Sequence, residues 1–148
     1  QEDLPRLKRD FYRKWLLQEI DGYKMLLAVD PADWDTHHTL AMFYLRSGQR
    51  PLAFPHFDQA LEHNPDYAEA RVNYGIALAQ GKELERAIAQ FEETLARTPG
   101  FVQAHFNLGM ALAMLGRAAE ARPHLDAVIR QRPEMAEEIE QRLKKLRR

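Results

Sequence analysis

Cysteine is absent from all 148 residues, which excludes disulfides, thiolate nucleophiles and zinc ribbons at once. An excess of one charge is missing too: the formal net charge is −1. Phosphate neutralisation, the main source of affinity for nucleic acid, has little to begin from, and no nucleic-acid partner is expected. The chain lacks a glycine-rich phosphate loop, a nucleophile elbow and any His-x-x-x-His spacing, the signatures of phosphate transfer, acyl transfer and helical zinc sites. Its six histidines are dispersed, and the adjacent His37 and His38 must point to different sides of a helix. No catalytic residue, cofactor or metal is assigned, and the chain is not read as an enzyme. Long apolar stretches are scarce as well. The longest uncharged run, Thr98 to Gly116, opens on Pro99 and Gly100 and contains Gln103, His105 and Asn107, so it does not read as a membrane span. A soluble protein, cytoplasmic or periplasmic, is the expectation. The first residue is Gln1 and not Met, which fits a removed targeting segment or a trimmed chain equally. The excess of arginine over lysine hints at a GC-rich bacterial source.

What the chain does have is proline at a fixed interval. Pro31, Pro65, Pro99 and Pro133 each stand 34 residues after the last, and a period between about 20 and 50 residues marks a stacked repeat array. Within one period two helical patterns are read, Ala68 to Gln80 and Leu84 to Arg97, with a turn near Gly81. Proline then ends the second helix, because it has no amide proton to donate and forces the residue before it out of the helical region. Neighbouring periods superpose. Ala53, Ala87 and Ala121 coincide, as do Phe57, Phe91 and Leu125, and Leu40, Tyr74 and Leu108. A small slot, Ala41, Gly75 and Gly109, is followed by a large one, Tyr44, Leu78 and Leu112, which predicts bulky side chains filling space beside small ones. Gly81 comes one residue earlier than Gly48 and Gly116 do in their periods, so a slightly longer second turn is predicted. Pro55 and Pro123 sit early in second helices and read as tolerated.

With these residues in place the chain resembles the tetratricopeptide repeat family, whose pattern is Trp, Leu-Gly and Tyr on a first helix, then Ala, Phe and a closing Pro on a second. The match runs from Trp34 to Pro133. The family's Trp slot holds His37, Arg71 and His105, and the third repeat has Leu112 and Leu125 in place of aromatics, which predicts looser packing there. The resemblance implies an all-α, right-handed helical-hairpin solenoid. Its three full repeats would occupy 32–65, 66–99 and 100–133, after an N-terminal helix and half-repeat in 1–31 and before a capping helix in 134–148.

The two ends differ in character. Leu4, Leu7, Phe11 and Trp15 recur at helical spacing among Arg6, Lys8, Arg9, Arg13 and Lys14, giving a basic amphipathic helix. It is read first as a cap on the repeats and otherwise as a surface for a membrane or a partner helix, the one place where the chain could touch a membrane. From Leu16 to Asp30 the pattern matches a second helix of the repeat, whose first helix is either the Phe11 to Trp15 stretch or lies upstream. At the other end Ile139, Leu143 and Leu146 form a stripe, with acidic residues early and Lys144, Lys145, Arg147 and Arg148 late, as the helix dipole prefers.

Binding is the expected function. At about 100° per residue, the side of each first helix away from Leu40 and Tyr44 carries His38, Met42 and Leu45, then Val72, Ile76 and Ala79, then Phe106, Met110 and Ala113 with Met114 beside them. A helix apolar nearly all round needs a second cover. The resemblance implies that first helices line a concave groove, so Met42, Ile76 and Met110 would form a stripe suited to a protein ligand. Thr39, Asn73 and Asn107 stand beside it in phase, and an Asn amide matches what a peptide bond presents. Family members that hold acidic chaperone tails use a clamp of Lys, Arg and Asn. Here His38, Val72 and Phe106 stand where cations would be, with only Arg46 and Arg71 nearby. The expected ligand is therefore an apolar or amphipathic segment or helix of another protein, held by a scaffold or assembly factor. The alternatives are a self-associating structural subunit, hence a homo-oligomer, or an accessory domain of a larger membrane-anchored or enzymatic protein.

Overall fold

A computed structural model describes residues 3–147, and these form eight α-helices and one 3-10 turn with no strand. The helices are α1 (Leu4–Val29), α2 (Trp34–Arg46), α3 (Arg50–His63), α4 (Ala68–Gln80), α5 (Leu84–Arg97), α6 (Val102–Met114), α7 (Ala118–Gln131) and α8 (Ala136–Leu146), with the 3-10 turn Pro133–Met135 before α8. Two compact units are distinguished, one ending at Ala70 and the other starting at Arg71, so that the boundary falls inside α4. In the first unit Leu16, Ile20, Leu40, Ala41, Phe43, Tyr44, Ala53, Phe57 and Ala60 are buried. The second is centred on Leu78, Ile88, Phe91, Leu108, Leu112, Leu125, Val128 and Ile139.

The proline interval is a geometric one. Asp30, Asn64, Thr98 and Arg132, each just before a spaced proline, cap their helices with φ of −130°, −137°, −133° and −136°. This is the extended conformation a following proline imposes. Each still donates its N–H to the carbonyl four residues back: Leu26, Ala60, Thr94 and Val128. Pro55 and Pro123 lie within α3 and α7, which run through them unbroken.

Small against large is realised side by side. A Cβ on Gly109 would fall 2.6 Å from the Leu125 side chain, and one on Gly75 would meet the Phe91 ring. These contacts bring α6 onto α7 and α4 onto α5. The looser third repeat expected from its leucines is not found at those positions: Leu125 is 0% and Leu112 2% exposed. At Leu125 the facing glycine, Gly109, leaves room for close contact.

Two further expectations are corrected. Residues 4–29 form one uninterrupted helix, so Phe11 to Trp15 is not a separate first helix of a half-repeat. The second inter-helix turn is no longer than the others: Gly81, Lys82 and Glu83 connect α4 to α5 just as Ser47, Gly48 and Gln49 connect α2 to α3. Gly48 and Gly116 have φ of 77° and 76°, and Lys82 takes the same left-handed conformation at 64°. In all three turns the next residue, Gln49, Glu83 or Arg117, closes the helix by donating to Tyr44, Leu78 or Leu112, the pattern of a Schellman cap. A lysine there is strained, because its Cβ crowds the carbonyl. Lys82→Gly is expected to raise stability by about 1 kcal/mol, and Gly48→Ala to lower it by a similar amount. Urea titration reads both, and an unchanged midpoint for Lys82→Gly would contradict the strain.

Candidate functional site

In the second unit α4, α5 and α6 enclose a cleft of about 260 Å³ lined by Ile76, Ala79, Gln80, Leu84, Phe91, Asn107, Met110, Ala111 and Met114. Its making is local. Gly75 lets the Phe91 ring come up between the helices as an apolar floor, and Ile76 and Met110 stand over it from either side, half-buried. Met114, 54% exposed, forms the lip. The space is below the range of roughly 300–1,000 Å³ usual for small-molecule sites and suits one or two apolar side chains.

Of the residues singled out from sequence, Ile76, Asn107, Met110 and Met114 meet here. Asn107 also borders a second cleft of about 140 Å³ with Val102, Gln103, Phe106, Arg132 and Met135, and so divides the two. Its Nδ2 donates to the Gln103 carbonyl at 2.8 Å, so one amide proton is already engaged within its own helix. Phe106 is half-buried, with the Arg142 guanidinium of α8 5.5 Å from its ring centre, a cation–π contact. Asn73 is half-buried.

Val72, by contrast, is 3% exposed and lines neither of these clefts. In the first unit Thr39 and Met42 are half-buried, and Arg46 is exposed with its guanidinium 5.6 Å from the Phe43 ring. His38 is withdrawn from any open wall: it is 8% exposed. Its Nδ1 is hydrogen-bonded to the Tyr67 hydroxyl at 2.7 Å, and the two rings meet edge to face at 4.9 Å. Burial holds the His38 imidazole below its ordinary value. Burial, then the nearby Asp35 and Glu69 carboxylates, push Tyr67 up to about 12. His38 is a strut between α2 and the turn before α4.

Histidines in the family's Trp slot do something the sequence reading missed. His37 Nε2 lies 2.8 Å from the Pro31 carbonyl, and its Nδ1 3.0 Å from Nδ1 of His56. The second unit repeats this with His105, the Pro99 carbonyl at 2.8 Å and His124 at 3.0 Å. A carbonyl only accepts, so Nε2 carries the proton. In the neutral pair His56 Nδ1–H therefore donates to His37 Nδ1. Burial, and in each case the partner imidazole, hold His56 and His124 below the ordinary value. The signal was present, since both pairs stand 19 residues apart and recur with the period. Among the described residues no group of three or more His, Cys, Asp or Glu could hold a metal. No described helix is long and apolar enough to cross a membrane. Arg148, last of the terminal basic residues, lies outside the described residues.

A tetratricopeptide repeat family model matches at residues 38–100 and again at 83–136, well over half of the chain. The chain belongs to the tetratricopeptide repeat family. Among solved structures, MamA is similar with 21% identity and a TM-score of 0.73, covering 82% of this chain and 67% of its own. YrrB, a tetratricopeptide repeat protein with an unusual peptide-binding site, is 26% identical with a TM-score of 0.71, covering 83% of this chain and 63% of its own. This chain thus spans about two-thirds of the length of these relatives. Comparison with curated protein sequences returns no match. The fold is accordingly the all-α helical-hairpin repeat of this family, and its function is of the family's general kind, a protein–protein interaction module.

Proposed function

We propose that the cleft between α4, α5 and α6 holds an apolar or amphipathic segment of another protein, and that the chain acts as a scaffold or assembly factor. The observation that carries this reading is the lining itself. Ile76, Met110 and Met114 gather beside Phe91, with two amides, Gln80 and Asn107, in the lining. Unbranched thioethers adapt to differing apolar partners, and Asn107 can bond a peptide backbone beside the side chain that enters. A peptide-binding site in YrrB supports the same use of the fold. Burying one apolar side chain contributes about 1.5–3 kcal/mol, and ordering and association oppose much of it, so micromolar affinity is expected.

Panning a peptide library on the full chain should enrich sequences with paired apolar residues. Met114→Glu, at an exposed position, and Asn107→Ala are each expected to weaken the selected peptides about tenfold, or roughly 1.4 kcal/mol, with the melting temperature unchanged. No enrichment, or equal affinity of Met114→Glu, would sink the reading.

A further inference from the structure

Helix α1 has two apolar sides, and the first unit uses one. Leu16 and Ile20 are buried, at 2% and 4% exposure, and Tyr23 lies against Phe43 with ring centres 5.2 Å apart. At about 100° per residue, Leu4, Leu7 and Phe11 fall on the far side of the helix, with Trp15 at its border. Their exposures are 60%, 47%, 76% and 37%. Trp15 stacks on Tyr12 at 5.7 Å and tilts toward Phe43 at 5.8 Å. No described residue before Leu16 is buried. The first three turns therefore have almost no tertiary support, and an isolated helix of about a dozen residues is marginal in water. Something that meets the far side would stabilise them.

Charge narrows what that is. Between Leu4 and Trp15 stand Arg6, Lys8, Arg9, Arg13 and Lys14 against the single carboxylate of Asp10, in a chain of net charge −1. Lys8 and Lys14 border the apolar stripe on its two sides by the same rotation. Their long stems can run along apolar surface while the ammonium groups reach upward. An apolar strip flanked on both sides by cations fits a plane that is apolar inside and anionic at its surface.

We propose that the N-terminal turns of α1 lie on an anionic lipid surface, with Leu4, Leu7 and Phe11 entering the acyl boundary and Lys8 and Lys14 on the headgroup phosphates. Trp15 sits at the interface, where an indole ring is favoured. The contact is peripheral and sensitive to salt, since exposed charges are screened within about 10 Å at 0.1 M ionic strength.

The test is co-sedimentation of the full chain with vesicles of phosphatidylcholine alone and of phosphatidylcholine with about one-third phosphatidylglycerol. Binding is expected on the anionic vesicles, with a blue shift of Trp15 fluorescence in a Trp34→Phe background. Partitioning should fall at least about tenfold in Leu7→Glu/Phe11→Glu, in Lys8→Glu/Lys14→Glu, and in high salt. Both double variants sit on exposed positions, so unchanged melting curves separate loss of binding from loss of fold. Failure to bind anionic vesicles, or binding that either double variant leaves intact, overturns the proposal. So does a dimer in vesicle-free solution that both double variants dissolve, because the stripe would then be covered by a second copy of this chain.

Discussion

Replacing Phe91 by alanine is expected to lower stability by about 3–5 kcal/mol. The ring is 1% exposed, forms part of the cleft lining and occupies the space that a side chain on Gly75 would need. Removing it leaves a void that the two helices cannot collapse into without moving apart from their other neighbours. Gly75→Ala attacks the same contact from the opposite side. Its methyl would fall inside 3.0 Å of three ring atoms, forcing the ring off its rotamer or α4 off α5, at about 1–3 kcal/mol. The two effects should be coupled. In Gly75→Ala/Phe91→Leu the smaller side chain gives way to the methyl, so the double variant should lose less than the two single changes added. Urea titrations of the four proteins measure this. Strict additivity would show that the glycine is not held by the ring.

The second large effect concerns the histidine pairs. His37 is 7% exposed and both of its nitrogens are bonded, so His37→Ala removes the bonds to the Pro31 carbonyl and to His56, at about 1 kcal/mol for each hydrogen bond lost. Protonation should do part of the same damage. A charge on His56 would sit in a half-buried place against the His37 ring, with the two Nδ1 atoms 3.0 Å apart. Lys24 from α1 adds to the repulsion at His56, and His63 stacks on His37.

His38, His56 and His124 all have folded values below the ordinary 6.5, so the unfolded chain binds more protons in the interval between. Stability is therefore fully present above about pH 6.5 and is lost as pH falls through the lowered folded values. Melting temperature should drop between about pH 7 and 5, above the range where the carboxylates Asp33 and Glu120, both held low by hydrogen bonds, begin to protonate. His56→Gln/His124→Gln should flatten that slope. An unchanged slope in this variant, or a flat profile in the parent chain, would remove the pairs from the pH response.

Much of the fold was legible because punctuation and periodicity agree. Ala68 to Gln80 and Leu84 to Arg97 were bounded from sequence where the structure has them, since turn residues and proline caps leave little choice. What failed had one cause, a feature read on its own element when another element decided it. Gly81 suggested a longer turn, but cap geometry set the turn length, and Lys82 adopts the strained conformation to keep it. His38 and Val72 sat on the outward arc of their helices by rotation, yet both are buried. For His38 the covering group includes Tyr67, which no helical wheel of α2 contains. The cleft was half visible: Ile76, Asn107, Met110 and Met114 were named, while Leu84 and Phe91 come from the second helix, which the outward-arc reasoning left out.

In the middle repeat the places of the histidine pair are taken by Arg71 and Gln90, and Gln90 Oε1 is buried without a hydrogen-bond partner. Acid therefore reaches the hairpins unevenly. The α6–α7 hairpin carries His124, held below its ordinary value by burial, and the α4–α5 hairpin carries no histidine at that position, so the two walls of the cleft have different sensitivities to pH. Mild acidification would slacken the wall bearing Met110 while the wall bearing Ile76 stays firm.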